Sequence, residues 1–262
     1  MTHTYSASAG EDLQSTPFWR VSEEETAADA HLWKPRHVLI GAALWLLGAA
    51  LLALLSVNAH RYPEFPLDEP IASFIQGLHQ PALRAFVNFA SDANWPTQAG
   101  ITAIAVIVVL ALLRHIRAAI CAAISGFGAD FVNVTLNGIV GRPRPNNVHI
   151  HVVAHLGLHS FPSGHVTHVI AFYGFLLYFF IRQMQLHPAW RPWLWAPVVI
   201  CAYFIIFIGP SRVLQGEHWP SDVLASYLIG ALVLTIAIAL YHLMARAWLH
   251  YHTSSQKHAL AA

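Results

Sequence analysis

Residues 38–57 read VLIGAALWLLGAALLALLSV, an apolar run without a single charged residue. A helix needs about 20 such residues to cross the hydrocarbon core of a bilayer. We expect the helix to be continuous, because hydrocarbon offers no hydrogen-bond partner to a free backbone amide. This stretch therefore predicts a transmembrane helix and indicates that the chain is an integral membrane protein.

Five further apolar runs reach or approach the length of a span, at residues 97–113, 118–140, 164–181, 193–209 and 223–244. Residues 71–91 are different, because Gln76, His79 and Arg84 interrupt them and leave an amphipathic pattern that suits the membrane interface. We leave that stretch outside the span count. The sequence thus predicts an all-α integral membrane bundle of six transmembrane helices.

The composition agrees with a membrane as the solvent. Of the 262 residues 56% are hydrophobic and 10% are charged, against roughly 25% charged in soluble domains. The net charge of +1 gives no reason to expect a nucleic-acid partner. Cys121 and Cys201 both lie in apolar runs, where a buried small hydrophobe is the ordinary interpretation and a disulfide or metal pair is not.

The basic residues predict the orientation of the bundle. We expect residues 1–36 to be a flexible cytosolic tail, residues 37–247 to form the six-span domain and residues 248–262 to be a short cytosolic tail. When the six spans alternate in direction, most of the 14 basic residues fall on the same side of the membrane as the two tails. The basic residues on that side are Arg20, Lys34, Arg36, Arg114, Arg117, Arg182, Arg191, Arg246 and Lys257. Those on the opposite side are Arg61, Arg84, Arg142, Arg144 and Arg212. Both termini are therefore predicted to be cytoplasmic, and the loops at residues 141–163 and 210–222 to share the outer face.

These two loops hold three clusters of unusual residues. The first is the run Gly141-Arg142-Pro143-Arg144-Pro145, and the second is the run Phe161-Pro162-Ser163-Gly164-His165. The third begins at Ser211-Arg212 and continues with His218 after five residues and Asp222 after three more. Each cluster stands at the outer end of a predicted span.

Their chemistry suits attack on a phosphate ester. His218 and Asp222 are four residues apart and share one helical face, so a carboxylate can orient the imidazole and leave its other nitrogen free for attack. Arg144 and Arg212 carry planar, permanently charged groups that match phosphate oxygens. Ser163 and Gly164 begin a helix, where backbone amides favour anions.

Taken together, the clusters resemble the signature of the type 2 phosphatidic acid phosphatase superfamily. That signature is Lys, six residues, Arg-Pro; then Pro-Ser-Gly-His; then Ser-Arg, five residues, His, three residues, Asp. The second and third blocks match here in every fixed position and in spacing. The resemblance extends from the first predicted span to the last.

The resemblance implies a membrane enzyme that removes phosphate from a lipid at the outer interface. His218 would be the nucleophile that forms a phosphohistidine, Asp222 its orienting partner and His165 the general acid. Arg144, Arg212, Ser163 and Gly164 would bind the substrate phosphate. No metal or other cofactor is implied, and the candidate substrates are undecaprenyl diphosphate, phosphatidic acid and phosphatidylglycerol phosphate in the inner membrane. Membrane lipids are the expected partners.

The first block departs from the pattern, because Asn137 stands where the superfamily has lysine. We expect Asn137 to contact the phosphate through its amide in place of the missing cation. Asn137 shares a helical face with Asp130 and Asn133, so Asp130 is either part of a functional site or a bridge between spans.

Three alternatives remain open at this stage. A phosphotransferase would use the same covalent intermediate with a different acceptor. A non-catalytic six-span lipid-binding or transport protein would explain the lost lysine, although it does not explain why both histidines are present. Histidines near the second block could bind zinc, but no cysteine or acidic residue accompanies them in the loop, which favours solvated or headgroup-facing side chains: His149, His151, His155, His159 and His168.

Overall fold

A computed structural model describes residues 34–146, 148–154, 157 and 159–261, with side chains up to residue 247. Eight α-helices and one short 3₁₀ turn account for the regular structure in this part of the chain, and it contains no strand. The helices are α1 Pro35–Arg61, α2 Asp68–Gln76, α3 Pro81–Asp92, α4 Pro96–Leu112, α5 Ile116–Val140, α6 Gly164–Leu186, α7 Arg191–Leu214 and α8 Pro220–Ala261. The prediction of an all-α protein is confirmed.

Several helix boundaries follow directly from proline and glycine. Pro35, Pro81 and Pro96 stand at the first turns of α1, α3 and α4, where the missing amide hydrogen costs nothing. At the other end of α5, Gly141 takes the left-handed conformation with φ +63° and its amide donates to the carbonyl of Asn137. This cap starts the loop that carries the first cluster.

Five helices within the described residues are long and apolar enough to cross a membrane: α1, α5, α6, α7 with the preceding 3₁₀ turn, and α8 up to Ala247. The helices α3 and α4 pass the same test only as a pair, with a bend of 64° between them. Counting that pair as one span gives six, so the predicted number is compatible with the structure. The protein is a multi-pass membrane protein.

The sixth helix, α6, lies at the centre of the bundle and packs against α5, α7 and α8. Around it, α4 packs on α5, α3 packs on α7, and α1 packs on α8. The core contains large side chains of α6 such as Phe172 and Phe175, which are almost completely buried. Cys121 and Cys201 are buried and unbonded to each other, as predicted.

The predicted tails are only partly described. Residues 1–33 of the N-terminal tail lie outside the described residues, and α8 continues as a helix to Ala261 through most of the predicted C-terminal tail. The amphipathic stretch at residues 71–91 forms the end of α2, the turn that follows and most of α3. In α3, the rings of Phe86 and Tyr203 meet edge to face with centroids 5.0 Å apart, which fixes α3 on α7.

Candidate active site

The three clusters meet at one end of the bundle. The loop after α5 is tied to the end of α7 by a hydrogen bond from the amide of Val153 to the carbonyl of Gln215, 2.9 Å long. From α2, the side chain of Gln76 donates to the carbonyl of His151 and accepts from its amide, each at 2.9 Å. The prediction that both loops share one face is confirmed by these contacts.

His218 lies in the short loop before α8 and is 3% exposed. Its Nδ1 is 2.7 Å from the carbonyl oxygen of Ser160. Because a carbonyl only accepts hydrogen bonds, Nδ1 must carry the hydrogen and Nε2 must present its lone pair. Nη1 of Arg144 is 3.3 Å from Nε2. His218 is therefore held in the tautomer that a nucleophile requires.

The expected direct bond between Asp222 and His218 is not formed. Oδ2 of Asp222 is 3.9 Å from Nδ1 of His218, too far for a hydrogen bond. Asp222 instead accepts bonds from the hydroxyl of Ser160, from the amide of Trp219 at 2.9 Å and from Nη1 of Arg142 at 2.5 Å. The carboxylate thus orients the imidazole through Ser160, because the ring already bonds to the carbonyl of that serine.

A buried ion pair behind Asp222 was not foreseen from the sequence. Arg142, 1% exposed, donates to Asp222 and also to Oδ2 of Asp68 at 2.8 Å. Asp68 begins α2 and accepts two further bonds from the amide and hydroxyl of Ser221, each close to hydrogen-bond optimum at 2.9 and 2.8 Å. This network connects the first loop of the chain to the start of α8.

Arg144 and Arg212 both contact Glu217, the residue before His218. Arg212 is fully buried, donates from Nη1 to Oε1 of Gln215 at 2.8 Å and forms an ion pair with Glu217. Its Nε has no hydrogen-bond partner among the described residues. Arg144 is partly buried and donates from Nη1 to the carbonyl of Glu217 at 2.7 Å. The two predicted phosphate-binding arginines are brought together.

Ser163 and His165 add polar atoms at the start of α6. The hydroxyl of Ser163, at the N-cap of α6, makes no capping hydrogen bond to the helix. In the described part of the chain, Ser163 Oγ and His165 Nε2 are buried without a hydrogen-bond partner. The ring of Trp95 lies 5.6 Å from that of His165. A Cβ at Gly164 would come within 3.2 Å of Oδ1 of Asn133, so a larger residue would have to displace that side chain slightly.

The side-chain amide of Asn137 is directed at the loop that follows α5, whereas its position in the first block led us to expect a contact with phosphate. Its amide nitrogen donates to the carbonyls of His159, at 2.9 Å, and Phe161, at 3.1 Å. Both hydrogens of the amide are used on the loop that contains Ser160. Asn137 therefore fixes the loop that orients His218, and the charge of the missing lysine is not replaced at this position.

The electrostatics of the site keep His218 neutral. Burial lowers the pKa of His218 well below its ordinary value, and the positive charges of Arg212 and Arg144 lower it further. Burial also lowers the pKa of Arg144, while Asp222 opposes that shift. A neutral imidazole next to two guanidinium groups combines an available lone pair with positive charge for an incoming anion.

Asp130, His168 and the loop histidines, which the sequence analysis also considered, make other contacts. Nδ1 of His168 is 3.0 Å from Asp130, so Asp130 forms a bridge between α5 and α6. No group of three or more His, Cys, Asp or Glu among the described residues could hold a metal ion. Of the loop histidines, His155 lies outside the described residues, while His151 and His159 contribute backbone atoms to the contacts above.

The fold and these contacts define a multi-pass membrane protein with a buried histidine and two arginines at one end of the bundle. The family model described as PAP2 superfamily matches residues 115–248, more than half of the chain. The chain belongs to the PAP2 superfamily, and the resemblance of its three blocks is confirmed.

Individual relatives cover smaller parts of it. The chain is 35% identical over 103 residues to lipid A 1-phosphatase of Rhizobium johnstonii, covering 37% of this chain and 36% of that protein. It is 28% identical over 108 residues to phosphatidylglycerophosphatase B of Bacillus subtilis, covering 41% of this chain and 50% of that protein. The matched region thus spans about a third to a half of these relatives.

A solved structure shares the fold more extensively. The crystal structure of a transmembrane PAP2 type phosphatidylglycerolphosphate phosphatase from Bacillus subtilis superposes with a TM-score of 0.63. It covers 74% of this chain and 94% of that one, at 19% identity. This likeness supports the bundle and the arrangement of its helices.

Proposed function

We propose that the protein is a membrane phosphatase that removes the phosphate or diphosphate of a lipid through a phosphohistidine intermediate. The observation that carries the proposal is the contact of His218 with Arg144, whose Nη1 is 3.3 Å from Nε2 of the imidazole. In addition, Ser163 Oγ, His165 Nε2 and Arg212 Nε are buried without a partner among the described residues, which suits the oxygens of a bound phosphate.

The reaction follows in two steps. Nε2 of His218 attacks phosphorus, a bond from nitrogen to phosphorus forms, and the bond from phosphorus to the lipid oxygen breaks while His165 donates a proton to that oxygen. Water then attacks the phosphohistidine, His165 takes its proton, and inorganic phosphate leaves with His218 restored. Arg144, Arg212, Ser163 and the backbone at Gly164 stabilise the charge that builds on the equatorial oxygens.

The substrate class rests on the membrane setting and on the relatives. Two matched proteins carry names that specify lipid phosphates, namely lipid A 1-phosphatase and phosphatidylglycerophosphatase B. We accordingly propose a lipid phosphate of the inner membrane, with undecaprenyl diphosphate, phosphatidic acid, phosphatidylglycerol phosphate and the 1-phosphate of lipid A as candidates. The active site would face the periplasm, and both termini the cytoplasm.

A phosphotransferase would use the same first step and replace water by a hydroxyl of another lipid or sugar. Product analysis separates the two, because hydrolysis releases inorganic phosphate and transfer does not. A non-catalytic lipid-binding protein predicts neither product, and it leaves the neutral tautomer of His218 without a purpose.

The direct test is phosphate release by the purified protein from a panel of these lipids, with and without a chelator. We expect release from at least one lipid, unchanged by the chelator. His218→Ala should abolish turnover because it removes the only route to the covalent intermediate. His79→Ala is the matched control, since His79 is exposed and lies in the turn between α2 and α3. Activity of the His218 variant within tenfold of wild type would refute its role.

The role of His165 has a separate test that depends on the leaving group. His165→Ala should lose most activity on a lipid alkyl phosphate, whose alkoxide needs a proton, and least on an activated aryl phosphate, whose phenoxide does not. The ratio of kcat/KM values for the two substrates measures this difference. Equal losses on both substrates would exclude His165 as the general acid.

A further inference from the structure

The turn between α3 and α4 contacts two parts of the proposed active site. Asp92, at the end of α3, accepts a hydrogen bond of 3.4 Å from Gln215, and Gln215 accepts one of 2.8 Å from Arg212. At the other end of the turn, the ring of Trp95 lies 5.6 Å from the ring of His165. The turn therefore lies next to a proposed phosphate ligand and next to the proposed general acid, although none of its residues belongs to the three sequence blocks.

Trp95 presents a large apolar surface at this turn. Its side chain is 39% exposed, so part of the indole is accessible to a ligand. Its backbone is fixed, because the carbonyl of Trp95 accepts from the amide of Ala99 at 2.8 Å in the first turn of α4. Further along α4, the apolar side chains of Ile101 and Ile104 are exposed, as expected of a helix that faces lipid. The helix that begins at Trp95 thus links the proposed site to the bilayer.

The position of the general acid determines where the leaving alcohol lies. A general acid must be within hydrogen-bond reach of the oxygen that it protonates, about 2.6–3.2 Å. The ester oxygen therefore lies beside His165, and the first carbons of the alcohol lie against the side chains that border this imidazole. Trp95 is such a side chain, and an indole offers an apolar face to hydrocarbon. Contact with a part of the substrate that does not react raises kcat/KM.

We propose that Trp95 forms the subsite for the leaving alcohol and selects phosphate esters whose alcohol carries an alkyl chain. This inference rests on the proposed function and on His165 as the general acid. Arg144 and Arg212 hold the phosphate, and the first carbons of the chain pack on the indole of Trp95. An ester with too short a chain binds through its phosphate without this contact. Selection of lipid phosphates over small soluble phosphates is therefore a property of Trp95 and not of the arginines.

Methyl phosphate and hexyl phosphate are a suitable pair of substrates. Both release an alkoxide that needs a proton, so both depend on His165 in the same way. They differ only in the length of the alkyl chain that can reach Trp95. The measured quantity is the ratio of the two kcat/KM values for the full-length protein in detergent. Wild type should prefer hexyl phosphate by about tenfold or more, because additional methylene groups leave water on binding.

Trp95→Ala should lose most of this preference, while its kcat/KM for methyl phosphate should stay within about threefold of the wild-type value, because that ester makes no contact with the indole. Trp95→Gln keeps a side chain at this position but removes the apolar face. It should show the same loss of preference, and it replaces the alanine variant if that variant does not fold. Trp193→Ala is the matched control, because Trp193 is 76% exposed in the first turn of α7, at the end of the bundle opposite His218. It should keep the wild-type preference.

Two results would overturn the inference. The first is an equal loss on both esters in the Trp95 variants, which would mean that Trp95 acts only by supporting His165. The second is the absence of a chain-length preference in wild type. Turnover of both esters without a preference rejects only the subsite and leaves the phosphatase intact. If these esters and the whole lipid panel are left unhydrolysed, the proposed function fails, and the role of Trp95 fails with it.

Discussion

Ser160 contributes two groups to the site, one that accepts a hydrogen bond and one that donates a hydrogen bond. Its carbonyl accepts from Nδ1 of His218 at 2.7 Å, and its hydroxyl donates to Asp222. Its own amide donates to the carbonyl of Arg142 at 2.7 Å. The position of one backbone segment therefore sets both the tautomer of the imidazole and the partner of the carboxylate, so residues that hold this segment affect the chemistry without touching substrate.

Asn137 is such a residue, and a lysine at this position tests whether it does anything else. Asn137→Lys removes two bonds to the loop, each worth on the order of 1 kcal/mol, and brings an ammonium to a partly buried position. We expect a lower melting temperature and a lower kcat, with KM for the substrate unchanged. Thermal unfolding and steady-state kinetics of the purified variant are measured side by side.

The same variant tests whether position 137 can serve as the phosphate-binding lysine of the superfamily pattern. If lysine at position 137 reached the phosphate, KM would fall, and the effect would weaken as salt screens the new charge. A lower KM with that salt dependence would return Asn137 to the phosphate site and reject its role as a loop support.

For single residues, the sequence predicted which side chains lie at the site better than it predicted their hydrogen-bond partners. The three blocks placed His165, His218, Arg144, Arg212 and Ser163 at the same end of the bundle, because spacing along a helix and the order of spans determine which ends meet. The partner of His218 could not be predicted, since a backbone carbonyl has no residue type that marks it. The bonds from Asn137 to the loop could not be predicted, because a motif gives a position in the chain and not the direction of a side chain.

Among the elements, α6 depends on close contact with its neighbours. On the side of α5, Asn133 donates to the carbonyl of Pro162 and the hydroxyl of Thr167, both at 3.2 Å. Deeper in the bundle, Asp130 pairs with His168 at 3.0 Å. Polar contacts between spans compensate buried groups in a medium without water, and here they fix the rotation of the helix that carries His165.

On its other side, α6 meets α8 at a glycine. A Cβ added at Gly230 would lie 2.6 Å from Cβ of Ile170 and 3.2 Å from the carbonyl of Thr167. Neither atom is the end of a flexible side chain, so the helices must separate. Gly230→Ala should cost about 1–3 kcal/mol of stability through overpacking and lower kcat by shifting the start of α6 relative to His218.

Gly128→Ala on α5 is the matched control, because a Cβ there meets nothing within 4 Å. In a helix interior this change removes a penalty of roughly 0.5–1 kcal/mol. Unfolding temperatures in one detergent compare the two variants. A Gly230 variant as stable as the Gly128 variant would show that α6 and α8 do not depend on this contact.

The apolar runs predicted the long helices well, because an uncharged stretch of span length has few alternatives in a membrane protein. The run at residues 97–113 corresponds to α4, Pro96–Leu112, but this helix passes the span test only with α3. The 64° bend falls between Asp92 and Pro96. Hydropathy averages over a window and cannot detect a change of direction that a short turn and a proline produce.

For the whole molecule, the first segment after α1 proves to be part of the site. Phe65 lies under the guanidinium of Arg142 at 4.6 Å, and Arg142 donates to the carbonyl of Pro63 at 3.1 Å. Asp68 completes the ion pair behind Asp222. The sequence could not assign these roles, because an acid at the start of a short helix has no periodicity or spacing that relates it to an arginine 74 residues later. Folding of this segment and assembly of the site are consequently linked.

The orientation of the molecule in the membrane is the last prediction, and it does not depend on catalysis. Basic residues are more numerous at the end of the bundle opposite His218, and such residues remain on the cytoplasmic side during insertion. A reporter fused after residue 148 should therefore read as periplasmic, and one fused after residue 187 as cytoplasmic. Paired reporters, one active only in the periplasm and one only in the cytoplasm, should give opposite signals at both positions. The reversed pattern would place His218 and Arg144 on the cytoplasmic side, and a lipid phosphate substrate would then have to come from the inner leaflet.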